Sequence, residues 1–224
     1  MERPDCSRYV LALDRIQKLI SAERATSDLD RYLTSFSGAR FDGLIDRSNP
    51  NEFTAKDFEA VRKLNVSVLM KARIALTGEK KPDVQILLGT IPADLDLWNV
   101  APANYDATLG PDSPAWRLWR LLFDLQQGAR SSGRGVTAGK LLHGKRPRLV
   151  PIFDRARFRK ALSIEHPRLW EATWCALRDP EIRSGLQRVR VSVDPAAGLS
   201  LLRVLDIIAW MSLESQSTGT HRGM

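Results

Sequence analysis

A short stretch of the sequence combines many positive charges with one carboxylate. Ten lysines and arginines lie between Arg130 and Lys160, and Asp154 is the single acidic residue there, so the stretch carries a net charge of +9. The rest of the chain carries a net charge of −1, from 24 basic and 25 acidic residues. Such a concentrated patch suits nucleic acid. A solvated basic helix face, or binding to an anionic membrane, is the alternative.

Asp154 stands directly before a predicted helix, Arg155–Leu162. Aspartate is a favoured N-cap residue, so its role can be stability alone. On a functional interpretation, the same carboxylate faces the bound nucleic acid. A fixed carboxylate stabilises positive charge that develops on a sugar when a glycosidic bond breaks. The surrounding lysines and arginines favour its ionised form.

A helix, a glycine-rich turn and a second helix are predicted upstream of Asp154. The first helix is Ala115–Gln127, the polar turn is Gly128–Gly135, and the second helix begins at Val136. Glycines in the turn leave unpaired N–H groups at the start of the second helix, a suitable site for phosphate. The predicted DNA contacts are Gly133, Arg134, Gly135, Thr137, Lys140, Lys145, Arg146 and Arg148.

Aromatic and acidic residues elsewhere supply further candidates. A flipped base would need aromatic side chains to stack against, although tryptophans at helical spacing more often pack in a core. The candidates are Trp98, Trp116, Trp119, Phe153 and Trp210. Asp94 and Asp96 are predicted to serve in a turn or cap, with a pocket edge or metal site as the alternative. Asp206 is predicted to pair with Arg203, or else to border a site.

The order of these features resembles the helix-hairpin-helix DNA glycosylase superfamily. The shared features are the Gly133–Gly135 turn, Thr137-Ala138, Pro147, Pro151, and Asp154 placed 19 residues after Gly135. The resemblance covers residues 115–160. The chain also resembles an uncharacterised family of actinobacterial proteins that share phrases such as "GKLL" and "KRPRLVPIFD".

The glycosylase resemblance implies an enzyme that flips a damaged or modified base out of DNA and hydrolyses its N-glycosidic bond, with Asp154 catalytic. Val136 and Thr137 stand where strand-cutting members carry a lysine, which implies base removal alone. No cofactor is implied, apart from a structural monovalent cation held by hairpin carbonyls. Hypermodified phage cytosines are one candidate substrate, with antiviral defence as the role. A non-catalytic helix-hairpin-helix DNA-binding protein is the alternative, and an RNA or membrane-surface binder is a third hypothesis.

Helical periodicity dominates the elements that must position these residues. Apolar residues recur at three- and four-residue steps from Tyr9 to Ile20, and Thr54 with Asp57 marks a helix start. Further helices are predicted within residues 66–76, 84–88, 167–177, 180–189 and 199–213. The strand candidates are a short hairpin at 39–45 and a brief alternation at 189–193. The predicted fold is therefore mostly α, a two-lobed helix-hairpin-helix glycosylase-like architecture with few or no strands.

The chain is predicted to be one helical domain of residues 1–224, with a lobe boundary near 92–114 and a flexible tail at 215–224. It contains no apolar run of 18 residues and no secretory pattern at its N-terminus, so a cytoplasmic protein without membrane association is expected. No obligate protein partner is evident. With only Cys6 and Cys175, a disulfide framework and a four-cysteine metal site are excluded, and with three scattered histidines no histidine-rich metal site is expected.

Overall fold

The structure is a computed structural model that describes residues 4–129, 131–152, 160–164 and 169–219. These residues are mostly helical and contain no strand, which confirms the predicted mostly-α fold. The α-helices are α1 (Val10–Ser21), α2 (Arg24–Ser35), α3 (Phe41–Leu44), α4 (Ala55–Arg62), α5 (Met70–Thr77), α6 (Lys81–Thr90), α7 (Tyr105–Leu109), α8 (Pro114–Leu125), α9 (Ser131–Lys145), α10 (Leu169–Arg178), α11 (Pro180–Val191) and α12 (Leu201–Gly219). Short 3-10 helices are Cys6–Tyr9, Ser37–Arg40, Leu97–Asn99, Pro102–Asn104 and Asp194–Ala196, and residues 160–162 are helical.

Several helices begin where capping chemistry predicts. Thr54 and Asp57 form a reciprocal capping box at the start of α4. The Ser113 side chain accepts a hydrogen bond from Trp116 N at the start of α8. The Asp179 side chain does the same for α11, where it accepts from Glu181 N and Ile182 N. Each cap satisfies N–H groups that have no partner inside the helix.

The strands considered at 39–45 and 189–193 are wrong. Residues 37–44 form a 3-10 helix followed by α3, and α11 continues to Val191. Phe41 is fully buried, so its apolar neighbourhood reflects a core contact and not the alternation of a strand.

The chain divides into two compact units. Unit 1 contains residues 1–36 and 154–224, and unit 2 contains residues 37–153. The boundary expected near 92–114 is therefore wrong, because that stretch lies within unit 2. Its prolines mark turns and helix starts such as those of Pro102 and Pro114, and not a linker.

Unit 1 is built from α1, α2 and α10–α12. Helix α1 packs against α10, α11 and α12, and α2 packs against α12. Ile16, Ile20 and Leu29 are buried among them. Gly185 of α11 permits a close approach of α1, because a Cβ there would meet Ile20 Cδ1 at 2.7 Å.

A disulfide ties the first residues of unit 1 to α10. Cys6 is bonded to Cys175, which lies 169 residues further along the chain. Beside it, Tyr9 Oη donates a hydrogen bond of 2.8 Å to Glu171. Two cysteines are too few for a framework of several bridges, but the sequence did not indicate that they would pair with each other.

Unit 2 is organised around α8. This helix packs against α5, α6, α7 and α9, and α9 also packs against α4. Ala115, Leu118 and Leu122 of α8 are fully buried, at the spacing of one helical face.

The last helix is longer than predicted. α12 continues from Leu201 to Gly219, so residues 215–219 of the expected tail are helical, while residues 220–224 lie outside the described part of the chain. Among the described helices, none combines the length and the apolar character that crossing a membrane requires.

Candidate functional site

Helices α8 and α9 of unit 2 follow one another closely in the chain and pack against each other. The predicted succession of helix, turn and helix is therefore present. The turn is shorter than expected, because α8 ends at Leu125 and α9 already begins at Ser131. Gly128 has a φ of +98°, a left-handed conformation that glycine adopts without strain.

The glycine turn predicted at Gly133–Gly135 is wrong. Both glycines lie within α9, where Thr137 Oγ1 donates to the Gly133 carbonyl at 2.9 Å. The Gly135 N–H therefore lies inside the helix, whereas the N–H of Gly133, the third residue of α9, lies in the first turn, where N–H groups have no partner inside the helix. Arg134 lies against α8, with its guanidinium 4.1 Å from the Phe123 ring centroid.

Lys140 and Lys145 do not face solvent as phosphate contacts. Lys140 is 7% exposed and donates to the Leu64 carbonyl at 2.7 Å. The Lys145 ammonium lies 2.7 Å from Asp57 and donates to the carbonyls of Asp46 and Asn49 at 2.9 and 3.0 Å. Because these bonds hold α9 onto α4 and the preceding loop, the expected DNA-contact role of both lysines is wrong.

Arg146 is also an internal side chain and not a DNA contact. It is 1% exposed, and its guanidinium donates to several acceptors in the surrounding loops. The acceptors are the carbonyls of Pro50, Leu88, Ile91 and Lys145 and the side-chain oxygen of Asn51. Burial lowers the pKa of Arg146 to about 10, so it stays protonated at neutral pH. This residue holds the end of α9 to two other segments of unit 2, residues 50–51 and 88–91.

Asp46, beside this network, accepts hydrogen bonds from Ser48, Asn49 and Thr54 at 2.6, 3.0 and 3.0 Å. Those bonds hold the pKa of Asp46 well below its usual range, the bond from Ser48 having the largest effect. The loop that receives Lys145 is therefore fixed by its own ionised carboxylate.

Arg148 remains at the surface but is paired. Its guanidinium binds both carboxylate oxygens of Asp96, with Nε 2.8 Å from Oδ1. This pairing raises the pKa of Arg148 above its ordinary value. Asp96 also precedes the 3-10 helix Leu97–Asn99, where its carbonyl accepts from Asn99 N at 2.9 Å, while its side chain makes no capping hydrogen bond. Asp94 is exposed beside it.

Within the described residues, no three His, Cys, Asp or Glu side chains lie close enough to bind a metal.

The chain between α9 and position 152 is fixed in place. Leu149, Val150 and Ile152 are buried, and the His143 ring Nδ1–H donates to the Val150 carbonyl at 2.6 Å. Leu97 N donates to the Arg148 carbonyl at 3.0 Å. The predicted catalytic Asp154 and the predicted stacking residue Phe153 follow directly, and both lie outside the described residues.

The four other aromatic candidates are half-buried but fall into separate groups. Trp116 and Trp119 stack on each other along α8 with centroids 5.2 Å apart, and Trp119 stacks on Phe123 at the same separation. Trp98 lies elsewhere in unit 2. Trp210 belongs to unit 1, where it packs edge-on against Tyr32 and Phe36. Only Trp116 and Trp119 are brought together.

The predicted Arg203–Asp206 pair is confirmed. Arg203 is 2% exposed, binds the Asp206 carboxylate and donates to Tyr32 Oη at 3.0 Å. The pair joins α12 to α2 within unit 1, so it is a structural element of that core.

A basic cleft in unit 1 was not predicted from the sequence. It has a volume of about 310 Å³, with walls formed by α1, α12 and residues 160–161. Four cationic side chains line it: Arg15, Lys18, Arg24 and Lys160. Arg15 and Lys18 share one face of α1 at a three-residue spacing, a signal available in the sequence. The cluster was not predicted because Lys160 is far from both residues in the sequence.

Comparison with known proteins places the chain in one family. Residues 25–213 match the model of the Family of unknown function (DUF6308). Because the match covers most of the chain, the protein belongs to this family. No curated protein and no solved structure matches the chain.

Proposed function

We propose that the protein is a DNA glycosylase that excises a damaged or modified base, with Asp154 as its catalytic carboxylate. The observation that carries the proposal is the fixed chain that precedes Asp154. Arg146, His143 and the buried side chains of Leu149, Val150 and Ile152 hold residues 146–152 in one position. Catalysis by a carboxylate requires such a scaffold, because electrostatic stabilisation depends on groups that are already oriented.

The chemistry that we propose is hydrolysis of the N-glycosidic bond. The bond between C1′ and the base nitrogen breaks, and its electron pair leaves with the base, which takes up a proton. Positive charge develops on the sugar, and the Asp154 carboxylate stabilises it. Water then adds to C1′ and loses a proton, so the products are a free base and an abasic site in an uncut strand. Candidate substrates are damaged bases and hypermodified cytosines of phage DNA.

Part of the resemblance to helix-hairpin-helix glycosylases supports this proposal. The α8–turn–α9 pair and the later Asp154 retain the family's order. The turn is not at Gly133–Gly135, and Lys140, Lys145 and Arg146 are buried, so other groups must bind the DNA. The stacked Trp116 and Trp119 remain candidates to contact the extruded base.

The test is base release from duplexes carrying a panel of modified bases, including phage genomic DNA. Asp154→Asn keeps the capping ability of the side chain and removes its charge. We expect base release to fall by about 10²–10³-fold or more while DNA binding persists. The matched control is Asp179→Asn, because Asp179 is an N-cap aspartate of α11. That variant should release bases at the wild-type rate.

Equal release by wild type and Asp154→Asn would overturn the catalytic role. DNA binding by a wild-type protein that releases no base from any substrate would instead indicate the alternative, a non-catalytic DNA-binding protein with Asp154 as a cap. Strand nicking without alkali would contradict base removal as the sole reaction.

A further inference from the structure

The basic cleft of unit 1 gathers positive charge that its neighbours neutralise only in part. Lys18 is paired with Asp14 at 2.7 Å, and Arg24 lies 3.9 Å from Asp28. Within the described part of the chain, Arg15 and Lys160 have no carboxylate partner. Two uncompensated cations therefore meet at one concave site.

The remaining lining gives the cleft an apolar floor with one hydroxyl. Leu19, Ala22, Ala161 and Leu213 supply apolar contact, and Ser212 lies among them. The Ser212 hydroxyl already donates to the Ala209 carbonyl at 2.8 Å. Cations around a small apolar concavity suit a phosphate with its attached sugar. The cationic side chains can bind the phosphate, and the apolar side chains can pack against the sugar.

We infer that this cleft binds a backbone phosphate of DNA and anchors the duplex on unit 1. The inference rests on the proposed function for its choice of polyanion. The sequence supports that choice, since Lys160 ends the run Arg155-Ala-Arg-Phe-Arg-Lys160, which contains four cations and no acid. The run also belongs to the stretch Arg130–Lys160, which carries the excess positive charge of the chain.

Arg15→Ala/Lys160→Ala tests the cleft. Arg15 is half-buried, Lys160 is exposed, and neither forms a hydrogen bond or ion pair among the described residues, so the variant should fold. The matched control is Lys56→Ala/Arg188→Ala, which removes the same charge from two exposed residues outside the cleft. A second cleft variant, Arg15→Gln/Lys160→Gln, keeps more side-chain volume, and circular dichroism melting checks that all variants fold.

The measurement is fluorescence anisotropy of a labelled DNA duplex across a salt series. Losing two phosphate contacts should lower the slope of log affinity against log salt by about two units. At about 0.15 M salt the affinity should fall roughly ten- to thirty-fold, while the control changes little. Equal loss in the cleft and control variants, or no loss in either, would overturn the inference.

Two further arms separate this inference from others. If the cleft variants lose binding to vesicles rich in phosphatidylserine but keep wild-type DNA affinity, the cleft serves a membrane and the inference fails. Base release by the wild-type protein is measured in parallel, because it tests Asp154 and not the cleft. Absence of base release from wild type, with the expected loss of duplex affinity in the cleft variants, would refute the glycosylase proposal and leave the phosphate site supported.

Discussion

The ammonium of Lys145 and the carboxylate of Asp57 are 2.7 Å apart, and both side chains are 1% exposed. The pair is fully bonded, since Lys145 also donates to two backbone carbonyls, and Asp57 accepts from the backbone N–H groups of Asp46 and Thr54. These hydrogen bonds offset the loss of hydration that a buried charge pair suffers in a core.

Breaking this pair from one side should destabilise the protein strongly. Lys145→Met leaves the Asp57 charge buried without a cation and two carbonyls without donors, at an expected cost of about 3–5 kcal/mol in the free energy of unfolding. Urea denaturation measures it. The control Lys18→Met breaks an exposed pair with Asp14 and should cost less than about 1 kcal/mol. The double variant Lys145→Met/Asp57→Asn should lose less than the sum of its parts. A loss near that of Lys18→Met would contradict the buried arrangement.

Two glycine substitutions distinguish the observed turn from the predicted one. Gly133 lies inside α9, and the space that an added Cβ would occupy is open, so Gly133→Ala should stabilise the protein by up to about 1 kcal/mol. Gly128 has a positive φ, so Gly128→Ala should destabilise it by about 1–2 kcal/mol. Thermal melts of the two variants should shift in opposite directions. Destabilisation of the protein by Gly133→Ala would instead support a turn at Gly133–Gly135.

The disulfide between Cys6 and Cys175 should contribute strongly to stability under oxidising conditions. It closes a loop of 169 residues, for which the chain-entropy relation gives roughly 5 kcal/mol at 25 °C. Thermal melts of the oxidised protein should therefore lie well above those of the reduced protein or of Cys6→Ser/Cys175→Ser. The double serine variant is also the control, because reductant should leave its melting temperature unchanged. Mass spectrometry that finds two free thiols in the unreduced protein would refute the bond.

The sequence predicted elements whose signals are local. The capping box of Thr54 and Asp57, the apolar face of α8 and the Arg203–Asp206 pair all depend on residues within one or two helical turns. Helix α2 was missed because it is polar overall, although Ala25, Leu29 and Tyr32 mark its buried face. The Cys6–Cys175 bond could not be read from spacing, since it depends on the packing of distant helices.

The basic stretch was misinterpreted because charge alone does not show where a side chain points. Lys140, Lys145 and Arg146 reach backbone carbonyls whose positions are set by residues 46–51, 64 and 88–91, far away in sequence. A signal was present in Gly144, near the end of α9, where a neighbouring side chain packs closely. At Gly144 a Cβ would come within 2.5 Å of Ile45 Cδ1. A helix so tightly surrounded has little surface on which to display cations.

The division of unit 1 between the two ends of the chain has a consequence during translation. Helices α1 and α2 leave the ribosome before the 117 residues of unit 2, and their partners α10–α12 leave after it. At roughly 5–20 residues per second, the apolar faces around Ile16 and Leu29 wait roughly 6–25 seconds for cover. Unit 2 is continuous and can fold during that interval. Nascent chains that stall after unit 2 would therefore expose the apolar faces of α1 and α2, to which chaperones can bind.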